Sequence, residues 1–315
     1  MNDVDVYVLA ATRDNTRRSY ASALRHFEVE WGGFLPATTD SVARYLAQHA
    51  EQLSIATLRH RLAALSHWHQ DQGFADPTKA PLVRKTLKGI SALHPVKPQQ
   101  AVPLQIDQLT HAVAWLDTAM LTCDPAERLR FTRNKALLLL GFWRGFRSDE
   151  LISLEAQNVE LVSGQGMICF LPRTKADRQL VGQHFKVPAL SRLCPVTAYT
   201  AWTDLAEIED GPVFRGVNRW GHISTQGLHA NSITPLLRSI LEQAGLLSSG
   251  EFSSHSLRRG FATWANDNGW DVRSLMEYVG WRDMKSAMRY IDTADSFGQQ
   301  RIEQALSDAC ESGSR

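Results

Sequence analysis

The 315-residue sequence carries almost no net charge, +1 from 34 basic and 33 acidic side chains. That balance excludes a globally basic nucleic-acid coat, so any anion-binding surface has to come from local clustering. Cysteine is scarce. Cys123, Cys169, Cys194 and Cys310 stand alone, with no C-x-x-C pair and no metal-ligand spacing nearby. This argues against a disulfide framework or a zinc site, and free thiols in a reducing compartment are expected. Long apolar runs are missing too: "ALLLLGFW" at 136–143 falls far short of the roughly 20 residues of a membrane-spanning helix. The opening "MNDVDVYVLAATRDN" has acids where a secretory signal has bases. The expectation is a soluble, cytoplasmic protein with no membrane partner. Internal repeats, low-complexity tracts and an acidic cluster suited to a metal are also absent, so neither metal nor cofactor is expected. What remains is an ordinary globular composition, 43% hydrophobic and 21% charged, long enough for two domains.

Helical periodicity is abundant. Tyr20, Leu24, Phe27 and Trp31 follow at i, i+4, i+7 and i+11, one apolar stripe. "SVARYLAQHA" and "SIATLRHRLAALSHWHQDQGF" continue the pattern, the latter with Ile55, Leu58, Leu62, Leu65 and Trp68 on a core face. A fourth helix is expected over 81–93, which predicts a small helical bundle over residues 1–93. Its bases cluster: Arg13, Arg17, Arg18 and Arg25 on the first helix, Arg59 and Arg61 on the third, then Lys79, Arg84, Lys85, Lys88 and Lys97 without an intervening acid. Solvated faces carry such charges as well, but several patches on one bundle suit a phosphate backbone. Arg17, Arg18, Arg59, Arg61, Lys85 and Lys88 are the expected contacts. Three prolines in "HPVKPQQAVP" predict an extended linker over 94–103. Beyond it, 104–315 reads as a second, mostly helical domain with one β interruption. There "GMICFLP" and "LVGQHFKVP" flank "RTKADRQ" as a hairpin with Lys175 near its turn.

Three segments carry chemistry. "GFWRGFRSDELISL" ends an apolar helix at a glycine and starts another at Ser148. Arg147 therefore sits at a helix junction, where a guanidinium and backbone amides can face one anion. Glu150, one turn on, is placed to orient that arginine or a neighbouring group. "FSSHSLRRGFATW" sets His255 and Arg258 on one face at a helix start. "MEYVGWRDMKSAMRYIDTA" adds Trp281 after a glycine and Tyr290 nine residues later, while Tyr278 falls among apolar residues and reads as core. Singly, each has a plainer explanation: a solvated basic face, a surface ion pair, a core tyrosine. Together, two arginines, a lysine, a histidine and a tyrosine describe metal-free attack on a phosphodiester. Arginine forks match phosphate oxygens and the charge developing on the phosphorane. A phenol of ordinary pKa about 10 needs such a cationic setting, or a base, to act as a nucleophile. A lysine can protonate the departing 5′ oxygen, and an indole N–H offers one more donor.

In these segments the sequence resembles the tyrosine recombinase (phage integrase) family, weakly in the N-terminal domain and strongly from about 130 to 295. "GFRSDEL" is similar to the family's first-arginine box and selects Arg147 over Arg144. "HSLRRGFAT" is similar to its H-x-L-R box and selects Arg258 over Arg259. Trp281 stands where most members carry a histidine, as in the Cre recombinase. Lys175 matches the family's hairpin lysine by its place between strands, and "LCPVTAYTAW" resembles a further segment of structural value. The steps of 23 residues from Arg258 to Trp281 and nine to Tyr290 fit the family. The resemblance implies a mainly α fold: an N-terminal four-helix-type DNA-binding bundle and a helical catalytic domain with a small β-sheet, clamping duplex DNA. It implies that Tyr290 attacks, that a 3′-phosphotyrosine forms, and that a 5′-hydroxyl of the partner strand resolves it without ATP or metal. It also implies a homo-tetramer on two DNA sites, a monomer or weak oligomer without DNA, and a segment after Tyr290 that docks on a neighbour. The competing expectations are a type IB topoisomerase, which reseals the same strand, and a catalytically silent architectural DNA-binding protein. Accessory proteins, the DNA site and the biological role are left open by the sequence.

Overall fold

The structure is a computed structural model that describes residues 6–7, 11–95, 100–174, 177, 181–246 and 248–288. The chain divides into two compact units, Met1–Gln99 and Gln100–Arg315.

In the first unit α1 (Asp14–Arg25), α2 (Thr39–Gln48), α3 (Ile55–Asp71) and α4 (Pro81–Leu93) enclose a core that includes Phe27, Tyr45, Leu46, Leu58 and Val83. α2 and α3 start on caps supplied by their own sequence: Thr38 Oγ1 accepts from the Ser41 amide and Ser54 Oγ from the Thr57 amide, both at 3.1 Å. The apolar stripe of α1 does not continue as α-helix to Trp31. After Arg25 the backbone widens into a π turn, His26–Glu30, which seats Phe27 in the core and brings Trp31 to 5.3 Å from the Tyr45 ring. Of the expected core face of α3, Leu58 and Leu65 are buried, whereas Ile55, Leu62 and Trp68 are half-buried. Asp76 closes the turn between α3 and α4. Burial opposes its ionisation, but hydrogen bonds from Ser66, Thr78 and Lys79 outweigh burial and hold its carboxyl well below the usual range.

The second unit begins with α5 (Ile106–Ala119), α6 (Pro125–Trp143) and α7 (Ser148–Ile152). Three antiparallel strands follow in the order β1 (Val159–Val162), β2 (Gly166–Leu171), β3 (Gln183–Pro188). Then come α8 (Pro195–Leu205), the hairpin β4 (Arg215–Val217) and β5 (Ile223–Gly227), and α9 (Ile233–Gln243). α10 (Ser254–Asp267), α11 (Val272–Val279) and α12 (Met284–Met288) complete the described residues. α6 is the central element. Asp124 and Glu127 form a reciprocal cap around Pro125, and residues 136–142 are buried on every face beneath α8 and α10. The expected β2–β3 hairpin is present, pairing Cys169 with Phe185, and in β3 Phe185 and Val187 are buried while His184 and Lys186 are exposed. The described residues are mainly helical with small sheets, and no helix among them is long and apolar enough to cross a membrane.

The start of the second unit lies on α10. The Leu104 amide donates to the Ser256 carbonyl at 3.0 Å, and a Cβ at Gly260 would meet the Leu104 carbonyl oxygen at 2.0 Å. Only glycine allows that approach.

Candidate active site

The site is built on the junction after α6. Arg144 caps the helix, and Gly145 then turns the chain with φ +60, in the left-handed region that favours glycine. Arg147 follows in extended conformation as the N-cap of α7. Glu150, 5% exposed, reaches back to it: Oε2 accepts the Arg147 amide at 2.9 Å and Oε1 accepts from Arg147 Nη1 at 2.6 Å. Glu150 thus orients Arg147. The junction amide is engaged internally by that carboxylate, where the sequence suggested an amide turned toward an anion. The same carboxylate lies 3.6 Å from Arg258 Nη1, so a single buried negative charge stands between two guanidiniums and the cluster keeps a net positive charge.

Arg258 enters from α10 and is 1% exposed. Its Nη1 donates to the Gly145 carbonyl at 2.6 Å and its Nη2 to the Val279 carbonyl at 3.4 Å. Trp281, buried after Gly280 ends α11, presents its ring 5.1 Å from the Arg258 guanidinium carbon. His255 lies one turn before Arg258 but is exposed, so the two share helical spacing and not burial. Arg147, Glu150, Arg258 and Trp281 are therefore brought together, with His255 at the solvent edge.

Lys175 and Tyr290 lie outside the described residues, as do 96–99 of the linker and the segment beyond 288. Around the hairpin turn, the Asp177 amide donates to the Thr174 carbonyl at 3.1 Å, and Asp177 Oδ2 accepts the Gly182 amide at 2.8 Å. Arg282 approaches Asp177 to 3.8 Å, and a cavity of about 320 Å³ runs between Asp177, Gln183, Glu277 and Trp281. In the sequence Asp177 reads only as an acid in the hairpin turn. A larger cavity, about 1010 Å³, lies between α5, α6 and α8 and holds none of these residues. Tyr278 packs between Phe261 and Trp270 at 5.2 and 5.3 Å, and burial raises its phenol above the ordinary value, which suits core packing and not nucleophilic attack. In the first unit Arg18, Arg59, Lys85 and Lys88 are exposed, while Arg17, paired with Asp14, and Arg61 are half-buried. Among the described residues no three His, Cys, Asp or Glu side chains gather as metal ligands.

Residues 109–296 match the phage integrase family. Over 294 residues the chain is 28% identical to the integrase/recombinase xerD homolog of Selenomonas ruminantium, an alignment covering 90% of this chain and 83% of that protein. It is 23% identical over 293 residues to the recombinase cre of Escherichia phage P1, covering 89% and 82%. In fold it is similar to the XerH site-specific recombinase bound to its difH substrate in a pre-cleavage complex, with a TM-score of 0.59 and 19% identity over 92% of this chain and 78% of that one.

Proposed function

The chain belongs to the phage integrase family, and from that premise we propose that it is a site-specific DNA recombinase, cutting and rejoining duplex DNA through a covalent protein–DNA link. The observation that carries the proposal is the pairing of Arg147 and Arg258 around buried Glu150, with Trp281 packed on Arg258. Two guanidiniums held in place by one carboxylate and two carbonyls form a preorganised cationic seat for a phosphate.

In that seat Arg147 and Arg258 take the scissile phosphate, and His255 and Trp281 supply further donors. The Tyr290 phenol gives up its proton to solvent as its oxygen bonds to phosphorus and the bond to the 5′ oxygen breaks, and Lys175 gives that 5′ oxygen a proton. The 3′-phosphotyrosine conserves the bond, so a 5′-hydroxyl of the partner strand attacks it and releases Tyr290 with no ATP. Residues 1–93 are assigned to DNA binding, 94–103 to the linker and 104–315 to catalysis. Arg17, Arg18, Arg59, Arg61, Lys85 and Lys88 contact phosphates, and four protomers act on two sites in the nucleoid.

The test is Tyr290→Phe on a nicked suicide duplex. The variant is expected to bind the duplex as the unaltered protein does and to form no covalent adduct. A protease-resistant protein–DNA band from the Phe variant would remove Tyr290 from the mechanism.

A further inference from the structure

Arg144 is 4% exposed, yet its Nε and Nη1 have no hydrogen-bond partner among the described residues. Its charge is held instead between two rings: the guanidinium carbon lies 4.7 Å from the centroid of Phe185 on β3 and 4.4 Å from that of Tyr278 on α11. Burial pulls its pKa down to about 10, against the opposing influence of Tyr278, Cys169 and Glu150. A buried guanidinium with unmatched N–H groups costs more than an apolar side chain of similar volume. Packing alone does not account for an arginine here.

Its neighbours along the chain do. Arg144 immediately precedes Gly145, whose carbonyl takes Arg258 Nη1, and Tyr278 immediately precedes Val279, whose carbonyl takes Arg258 Nη2. Phe185 also packs on Phe146 at 5.3 Å, which fastens β3 to the same junction. One buried cation therefore ties together the two segments from which Arg258 is held. We infer that Arg144 is a positioning residue for Arg258: its hold on the Tyr278 and Phe185 rings sets the separation of the Gly145 and Val279 carbonyls, and so the aim of the Arg258 guanidinium. The inference rests on the recombinase proposal above.

Three measurements test it, each beside the unaltered protein: single-turnover cleavage of a nicked suicide duplex, gel-shift affinity for that duplex, and thermal melting. Arg144→Met keeps volume without charge. It is expected to melt at or above the unaltered temperature, to bind equally well, and to cleave ~10- to 100-fold more slowly, the scale of a small misplacement in a site. Arg144→Lys keeps the charge without the flat fork and should recover part of the rate. In an Arg258→Lys background the further loss from Arg144→Met should shrink to about 2-fold or less, because residues joined through a shared backbone shift couple. An undiminished loss in that background overturns the inference, as do melting and cleavage falling together. If the unaltered protein forms adduct and both Arg144 variants cleave at its rate, the inference alone falls. If the unaltered protein forms no adduct, the recombinase proposal falls and takes the inference with it.

Discussion

Glu150 is 5% exposed and stands between Arg147 and Arg258, so a change there reaches both arginines at once. Glu150→Gln keeps an oxygen for the Arg147 amide and removes the charge that offsets the guanidiniums. The expected cost is about 1–3 kcal/mol of stability, from charged donors left without their partner, read by urea unfolding. Cleavage should slow by ~10²-fold as the arginines lose their aim. Affinity for the duplex should hold or rise, because the site becomes more cationic. Unchanged cleavage would show that Glu150 does not aim the arginines. The contact between Glu150 and Arg147 was legible in the sequence because it spans one helical turn. The holders of Arg258 were not: Gly145 and Val279 act through carbonyls 113 and 21 residues away, and a carbonyl has no side-chain signature. Arg144, read linearly, looks like any cation at a helix end.

At the level of elements, the turn between α3 and α4 makes a prediction in pH. Burial raises the Asp76 pKa, but its hydrogen bonds outweigh burial and leave the folded value below the ordinary one. A depressed folded value means that the stabilisation is full above the unfolded pKa of about 3.9 and drains away as the pH falls below it. Asp76→Asn should lower the melting temperature at neutral pH and flatten its decline from about pH 4 downward. Melts of the full chain at stepped pH check this, and a variant with an unchanged acid slope would refute it. The helices of this unit were legible because apolar spacing and cap residues are local signals, and α7 starts at Ser148 for the same reason. The strands outside the β2–β3 hairpin were not legible. "VELV" is not buried on either face, and "RGV" and "ISTQG" carry no buried alternation, so pairing across the sheet decides them. The π turn after Arg25 leaves no mark in the sequence, because the apolar positions beyond it still fit a helical stripe.

At the scale of the whole molecule, a near-neutral chain carries exposed bases on one unit and two arginines around a buried glutamate in the other. If both units contact one duplex, residues 1–93 and 100–315 expressed separately should each bind far more weakly than the full chain, because the tether raises effective concentration. Gel-shift titrations of the three proteins measure this, and a single unit that binds as tightly as the whole would show the other to be idle on DNA. In the proposed mechanism the cationic charge for the chemical step comes from guanidiniums, so adduct formation should continue undiminished in excess EDTA. A strict requirement for a divalent ion in single-turnover cleavage would contradict the mechanism.

The two carbonyls that hold Arg258 also bear on how this site can change by descent. Point mutation rewrites side chains and leaves the peptide backbone in place. No single codon change at 145 or 279 can delete its acceptor; it can only move it. A lineage drifting at these positions would therefore alter the arginine's setting by degrees, while the same drift at position 150 would remove a charge in one step.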